Sequence, residues 1–534
     1  MTKKREIIFL LIILLIASFF RVWQLNTIPP GLYPDVAING NEAISNPGKI
    51  FYPENNGREG LFINLIALSF SIFGISIWSI RIVSAIIGIL TILGLYLLTK
   101  ELFSQYYETT TRPPRPPTSW APRSRSIALL ASFFLATSFW HVNFSRIGFR
   151  AILVPLVLTF AFYFLLKGFR TQKVSNFIFA GIIFGLGFYT YIAFRLAVLL
   201  LAVILVLWWL VYKQRGLQKK YLFFIFYFLF FIFITALPIG LYFLQNPHNF
   251  VGRAAPISVF ATENPLKEFG KSLILHLGMF NFSGDFNWRH NISGSPVLFW
   301  PIGILFLIGL AVSIKEIISK KLSAISHWEL VSWFFIMLLP GILTYEGIPH
   351  SLRCIGVIPA VFIFSALGFE FLYLKTKEKI KIRKNSLSYW LIISVLTLLF
   401  LLFIFAEYSR YFILWAQNPE VENAFSKNYV EIGNYLNSLG PETQKYLIVK
   451  QVGIPVPYPD GIPMPAQTPM FIERTKFKEP RSIYLLPENL DEIKIKRNGV
   501  IVLMKYDENL IFELWQKFPN GEIQEKNGVW VFKI

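Results

Sequence analysis

The feature that most constrains this chain is a series of apolar runs, each close to the length of a membrane-spanning helix. A hydrocarbon core about 30 Å thick needs roughly 20 apolar residues per helix. The runs that fit are 7–24, 82–99, 127–140, 152–166, 175–190, 196–212, 221–244, 297–314, 328–345, 355–374 and 389–406. They predict a polytopic α-helical membrane protein with about 11 transmembrane helices.

The composition agrees with this prediction. Of the 534 residues, 54% are hydrophobic and only 15% are charged, whereas soluble domains carry about 25% charged residues. An ordinary cytosolic enzyme is therefore excluded. Cys354 is the single cysteine, which excludes an internal disulfide and a cysteine-based zinc site.

Basic residues cluster in every second loop, and cytoplasmic loops are the ones enriched in Lys and Arg. The clusters are Lys3–Arg5, Arg112–Arg125, Lys167–Lys173, Lys213–Lys220, Lys315–Lys321 and Lys375–Lys384. They predict a cytoplasmic N-terminus. Because the first apolar run lacks a small-residue cleavage site, we expect it to be an uncleaved anchor. Because this pattern accounts for much of the net charge of +20, a nucleic-acid partner is not expected.

Segment 61–80 is also apolar enough to span the membrane. If it did, every later basic loop would face outward, against the rule that basic loops are cytoplasmic. We therefore predict that 61–80 is a re-entrant or interfacial segment. Its polar and small residues, such as Asn64 and Gly74, are compatible with this prediction. With this choice the segments 25–60, 141–151, 245–296 and 346–354 face outward.

The composition changes after residue 406. Segment 407–534 carries charges of both signs, the turn-rich stretch PYPDGIPMP, strand-like runs (YLIVKQV, SIYLL, GVIVLMK, VWVFKI) and a helix-patterned run, ENLIFELWQKF. These patterns predict a small extracytoplasmic α/β domain. The expected organisation is a transmembrane domain over 1–406, with its first outer loop at 25–60, followed by this soluble domain.

The first outer loop contains the strongest candidates for chemistry. Asp35 and Glu42 are seven residues apart, hence on one face if the segment is helical, and Arg58 and Glu59 follow. A carboxylate at the membrane–water boundary can act as a general base on a hydroxyl. The alternative is that Asp35 is only the N-cap of the helix that begins after it.

Cations in the other outer loops could hold an anion. Arg146 and Arg150 have i,i+4 spacing, so they would share one face of a helix and could clamp a phosphate, or else they only extend toward lipid headgroups. The remaining candidates are Arg289, His290, His350 and Arg353. No Walker loop, dinucleotide fingerprint or nucleophile elbow is present. A divalent metal is compatible with the sequence, but no spacing of His, Asp and Glu supports one, so no cofactor is predicted.

Several stretches together carry a family resemblance. They are GLYPDVAINGNEA, YPENNGREGLFINLIALSFSIFGISIWSIRIVSAIIGILTILGLYLL, FWHVNFSRIGFRAILVPL, GLGFYTYIAFR and EGIPHSLRCIGVIPA. Through them residues 1–406 resemble the C superfamily (GT-C) of membrane glycosyltransferases, in particular bacterial relatives of protein O-mannosyltransferases and lipid A aminoarabinose transferases. The resemblance implies an acidic residue in the first outer loop, beside a cavity for a polyprenyl-phosphate sugar, and Asp35 occupies that position. The family often has Asp-Glu there, but Val36 follows Asp35 here, so a second carboxylate would have to be Glu42 or Glu59.

The implied function is sugar transfer from a polyprenyl-phosphate donor to an acceptor hydroxyl on a lipid, glycan or protein at the outer face. Asp35 would be the base, with Glu42 and Glu59 as further candidates, and a single displacement would invert the anomeric carbon. The groups expected to hold the donor phosphate are Arg58, Arg146, Arg150, His350 and Arg353, with Arg289 and His290 contacting the acceptor or loop. The alternative is a transporter or flippase of lipid-linked saccharides. Transporters bury functional charges midway along their helices, and the nearly uncharged spans here favour an enzyme.

Overall fold

Helices form most of the computed structural model, which describes residues 2–104, 123–252, 255–319, 324–380, 387–450, 463–495 and 498–534. The α-helices are α1 (Lys3–Val22), α2 (Pro34–Ser45), α3 (Leu61–Phe73), α4 (Ile77–Leu102), α5 (Ser124–Thr137), α6 (Phe139–Phe144), α7 (Leu153–Thr171), α8 (Val174–Leu186), α9 (Ala197–Gln214), α10 (Gln218–Gln245), α11 (Pro247–Val251), α12 (Pro265–Gly278), α13 (Trp300–Ile318), α14 (Ile325–Ile342), α15 (Ile358–Ile380), α16 (Leu387–Tyr408), α17 (Pro419–Ala424), α18 (Lys427–Ser438), α19 (Gln467–Lys476) and α20 (Glu508–Lys517). The strands are β1 (Phe51–Tyr52), β2 (Arg58–Glu59), β3 (Gln444–Ile448), β4 (Ile483–Leu485), β5 (Gly499–Leu503), β6 (Glu522–Lys526) and β7 (Val529–Lys533).

Every apolar run of the sequence coincides with a helix. Within the described ranges, 8 helical segments are long and apolar enough to cross a membrane, and they include α4, α7, α9, α10, α13, α14, α15 and α16. Three predicted spans lie instead on α1, which carries several charged residues, and on the shorter apolar helices α5 and α8. The prediction of a polytopic helical membrane protein is confirmed, with eight spans by length and composition where about 11 were expected.

Segment 61–80 is divided between two helices. Gly74, with φ of +80°, ends α3, and the Ser69 hydroxyl then donates to the carbonyl of Ser79 at 2.6 Å, tying α3 to the start of α4. A helix of the 13 residues of α3 is about 20 Å long, shorter than a hydrocarbon core. This length fits the expected re-entrant or interfacial segment.

The chain forms two compact units. The first comprises residues 1–23 and 84–415, and the second comprises residues 24–83 and 416–534. The first outer loop thus shares a unit with the C-terminal segment, and α2 contacts α19 directly: the Asn41 amide donates to the carbonyl and side-chain oxygens of Gln467, both at 2.9 Å. The boundary after residue 406 that the composition suggested stays a prediction.

In the first unit, small residues allow helices to approach closely. A Cβ at Gly309 of α13 would lie 1.8 Å from the carbonyl oxygen of Phe364 in α15, and one at Gly368 would lie 2.0 Å from that of Leu305. Only glycine fits at either position. Close backbone approach of this kind is a common way for membrane helices to associate, because lipid supplies little hydrophobic drive.

The second unit contains a five-stranded sheet with the order β4-β3-β5-β7-β6. Strand β3 runs parallel to β4 and β5, whereas β7 is antiparallel to β5 and β6. Side chains of α20 join the apolar cluster on one face, and those of α18 join the cluster on the other. The small C-terminal α/β fold is therefore confirmed, with the predicted strand-like runs in β3, β4, β5 and β7. Most of PYPDGIPMP lies outside the described residues.

Candidate functional site

The polar face of α2 is formed by Asp35, Asn39 and Glu42, which follow one another at i, i+4 and i+7. The turn between β1 and β2 lies along this face. Its Asn55 amide donates to Asp35 Oδ1 at 3.1 Å, and Arg58 donates to Asn39 Oδ1 at 2.8 Å and to Glu42 Oε1 at 2.6 Å. The predicted helix and the shared face of Asp35 and Glu42 are both present.

Asp35 is not the N-cap of this helix. The N-cap is Tyr33, Pro34 occupies the first turn, and no side chain caps the helix start. Proline fixes its own φ near the helical value, so the helix begins at Pro34, two residues earlier than an N-cap at Asp35 would allow. Asp35 is half-buried, and its carboxylate accepts a hydrogen bond from the side-chain amide of Asn55. The capping alternative is therefore wrong.

At the other end of this face, Glu42 and Arg58 form a buried ion pair, with side chains 5% and 1% exposed. Burial raises the pKa of Glu42 to about 7, although the positive charge of Arg58 acts in the opposite direction. Arg58 also donates from Nε to the carbonyl of Glu54 at 3.2 Å. These contacts assign Arg58 to the internal structure of the loop rather than to an open phosphate site.

Glu59, the third carboxylate candidate, follows Arg58 in β2 and is 3% exposed. It pairs through the backbone with Phe51 of β1. Successive strand residues point to opposite faces, so the side chain of Glu59 points away from the face that Arg58 shares with Glu42.

Arg146 lies in the first unit and is fully buried. Its guanidinium donates to the carbonyls of Phe20 at 2.9 Å and Trp23 at 2.7 Å, at the end of α1, and it lies 5.4 and 5.1 Å from the ring centroids of Tyr411 and Phe412. The orphan carbonyls of a helix C-terminus favour such a cation. This geometry is that of a helix cap.

Arg150 does not share a helix face with Arg146, so that expectation is wrong. Helix α6 ends at Phe144, and Gly148 has φ of +80°, which interrupts the helical backbone before Arg150 begins a short 3₁₀ turn. Arg150 is half-buried, with its guanidinium 5.4 Å from the ring centroid of Tyr191.

A cluster around Asp285 joins segments 279–299 and 343–357 of the first unit. Asp285 Oδ2 accepts hydrogen bonds from the backbone and hydroxyl of Ser351, at 2.8 and 2.9 Å, and lies 3.0 Å from His290 Nδ1. Nδ1 of His350 is 3.9 Å from the same oxygen. Burial raises the pKa of the Asp285 carboxyl, but the two histidines and its other donors lower it by more, so it stays ionised.

Neighbouring residues hold this cluster in place. The His350 backbone N–H donates to His276 Nε2 at 3.1 Å, and burial lowers the pKa of His276 to about 4. The Asn143 amide donates to the carbonyl of Arg289 at 2.7 Å. Arg353, half-buried, donates to Thr344 Oγ1 and to the carbonyl of Glu346, each at 2.7 Å. The segments near residues 143, 289 and 350 therefore converge.

The structure thus places the sequence candidates in two groups. Asp35, Glu42, Arg58 and Glu59 belong to the second unit, and Arg146, Arg150, Arg289, His290, His350 and Arg353 belong to the first. Sequence reasoning did not select Asn55, Asp285 or Ser351. The position of Asp285 five residues before His290 is a local signal, but Ser351 and His350 come from a segment about 60 residues later, which no local pattern connects to it.

Part of the chain matches the family model for dolichyl-phosphate-mannose-protein mannosyltransferases, over residues 61–109 and 123–239. No curated protein has significant sequence similarity to the chain.

The fold is similar to that of a solved membrane protein. ArnT from Cupriavidus metallidurans bound to undecaprenyl phosphate is 12% identical, with a TM-score of 0.58 over 100% of this chain and 98% of that one. Its apo structure gives 12% identity and a TM-score of 0.54, over 99% and 97% of the two chains. The oligosaccharyltransferase AglB from Archaeoglobus fulgidus is 17% identical over 82% of this chain and 58% of its own, with a TM-score of only 0.47. The chain therefore has a fold similar to that of ArnT, and the predicted resemblance to protein O-mannosyltransferases is confirmed over the residues that match the family model.

Proposed function

We propose that this protein is a membrane glycosyltransferase that moves a sugar from a polyprenyl-phosphate donor to an acceptor hydroxyl at the outer face of the membrane. The observation that carries the proposal is the ArnT fold over the whole chain, in a relative whose structure holds undecaprenyl phosphate. The mannosyltransferase family-model match supports the same reaction class.

Asp35 is the proposed catalytic base. Its carboxylate is half-buried in the first turn of α2. Asn55 holds one carboxylate oxygen at 3.1 Å. In the proposed step Asp35 takes the proton of the acceptor hydroxyl, whose oxygen bonds to the anomeric carbon while the bond from that carbon to the lipid phosphate breaks. A single displacement of this kind inverts the anomeric carbon.

The leaving lipid phosphate needs cations as its charge develops. Among the candidates, Arg150 and Arg353 are half-buried and lie in segments that we predict to face outward, whereas Arg58 and Arg146 are fully buried. We therefore favour Arg150 and Arg353 for the donor phosphate. We also propose that Arg289 and His290 contact the acceptor. Both lie in the segment that packs against His350, whose ring is 4.9 Å from that of His290.

The proposed orientation places the N-terminus in the cytoplasm and residues 407–534 outside. The alternation of basic loops supports it. In this arrangement the outer segments that carry Asp35, Arg150, His290 and Arg353 lie on the side where the acceptor is glycosylated.

Reconstituted protein incubated with a panel of radiolabelled polyprenyl-phosphate sugars and with extracted envelope lipids, glycans and proteins tests the proposal. We expect label from one donor to appear in an acceptor, with release of polyprenyl phosphate and an inverted anomeric linkage by NMR. Movement of an intact donor across proteoliposomes without release of polyprenyl phosphate would instead establish a flippase.

A further inference from the structure

We propose that Asp285, His290 and His350 form a binding site for a divalent transition-metal ion of the Zn²⁺ type. A carboxylate oxygen and two imidazole nitrogens lie within 4.8 Å of one another. Imidazole and carboxylate are donors that zinc and neighbouring metals accept, and three protein ligands leave a fourth position for water or an anion. The inference does not depend on the proposed glycosyl transfer.

The spacing suits a tetrahedral ion. Bonds of about 2.0–2.2 Å in a tetrahedral site place neighbouring ligand atoms about 3.3–3.6 Å apart. Asp285 Oδ2 is 3.0 Å from His290 Nδ1 and 3.9 Å from His350 Nδ1, which bracket that separation. The two imidazole rings lie 4.9 Å apart. The His350 side chain is 15% exposed, so its ring is less confined than that of His290, which is 4% exposed.

The surroundings already orient the ligands, as the outer partners of metal ligands do. Asp285 Oδ1 accepts from the backbone of Asn287 at 2.9 Å, and Ser351 holds Oδ2. His276 fixes the backbone of His350. Phe144 and Phe149 pack against the ring of His290 at 5.7 and 6.2 Å. Asp285 and His290 are thus held where little ordering is needed on binding, and His350 is the ligand whose ring has to turn.

The competing explanation is a plain hydrogen-bonded cluster in which His290 Nδ1–H donates to Asp285. In a metal complex that proton moves to the other ring nitrogen and the metal replaces it. Both arrangements link segment 279–299 to segment 343–357, so only metal binding separates them.

The test uses full-length protein in detergent, treated with a chelator, desalted and titrated with Zn²⁺ by calorimetry. We expect one tight equivalent per chain. Asp285→Asn keeps an acceptor for Ser351 but loses the anionic ligand, and His350→Gln loses an imidazole, so each is expected to weaken Zn²⁺ at least tenfold. His248→Gln, at an exposed histidine outside the cluster, is the matched control and should bind as the wild type does.

If both Asp285→Asn and His350→Gln bind Zn²⁺ as tightly as the wild-type protein does, the proposal is wrong. If either variant fails to fold, the wild-type protein decides alone: Zn²⁺ must raise its unfolding temperature in a concentration-dependent way, and Co²⁺ must show the intense visible absorption of a four-coordinate site. A protein that responds equally to Zn²⁺ and Mg²⁺, and gives no such Co²⁺ spectrum, has no transition-metal site.

Discussion

Replacing Asp35 by asparagine separates the catalytic proposal from a structural role. The carboxylate has one side-chain hydrogen bond among the described residues, from Asn55, and an asparagine oxygen can accept it equally well. What the change removes is a negative charge in the first turn of α2, worth about 0.3–1 kcal/mol through the helix dipole. The free energy of unfolding should therefore fall by about 1 kcal/mol at most.

The effect on transfer should be far larger. General-base assistance contributes about 10²–10⁴ in rate, which corresponds to about 2.7–5.4 kcal/mol of activation free energy. Asp35→Asn should thus lower kcat and kcat/KM together by at least a hundredfold, because the lost interaction is made only in the transition state. The assay is sugar transfer from the donor that the panel identifies, beside thermal unfolding in the same detergent.

Asn55→Gly is the matched control. Asn55 has φ of +49°, a conformation that glycine adopts without strain, so this variant removes the hydrogen bond to Asp35 but keeps the carboxylate and the backbone. It should keep more than a tenth of wild-type transfer. If Asp35→Asn also keeps more than a tenth, Asp35 is not the base, and the reasoning from its position in α2 fails.

Three other measurements address further parts of the structure. Arg146→Ala should cost at least about 3 kcal/mol of stability, because two charge-assisted bonds to the end of α1 are lost. Arg150→Ala should cost less, about 0.5–1 kcal/mol for the lost contact with the ring of Tyr191, and should weaken use of the lipid donor about tenfold. Equal unfolding midpoints for the two variants would contradict this. Burial raises the pKa of Glu42 from 4.5 to about 7, so between these pH values the folded state binds more protons than the unfolded state. The free energy of unfolding should therefore fall as the pH rises from 4.5 to 7. Glu42→Gln should flatten this pH dependence in unfolding scans. In a Cys354→Ser background, an impermeant thiol reagent added to intact cells should label Glu513→Cys and not Thr118→Cys, and the reverse pattern would invert the proposed topology.

The transmembrane helices could be predicted because hydropathy is a local property. Each apolar run needs only its own residues to indicate a helix, and the break at Gly74 is also visible locally as a glycine among apolar residues. The sheet of the second unit follows from alternation and turns in the same way. The grouping of α2 with α19 is different, since its hydrogen bonds join residues more than 400 positions apart. No local pattern contains that information.

The candidate site was predictable where one element carries it. Asp35 and Glu42 share a helix face because their spacing is a helical repeat. The Asp285 cluster could not be found in this way, because its members come from two segments that only the tertiary structure brings together. The pairing of Arg146 with Arg150 was wrong for a related reason, since the i,i+4 rule assumes a continuous helix and Gly148 interrupts it.

The arginines of the outer segments show how burial divides residues that look equivalent in the sequence. Arg58 and Arg146 are fully buried, and each holds protein acceptors: a carboxylate for Arg58 and two main-chain carbonyls for Arg146. A phosphate could recruit either guanidinium only by displacing those partners and leaving a buried acceptor unpaired, at a cost of about 1–3 kcal/mol for each group. Arg150 and Arg353 also have protein partners, the ring of Tyr191 for Arg150 and Thr344 with the carbonyl of Glu346 for Arg353, but both side chains are half-buried, so an anion can approach each guanidinium from solvent. In the proposed reaction, donor affinity should therefore depend on the half-buried pair, whereas the buried pair sets whether α1 and the first outer loop keep their structure.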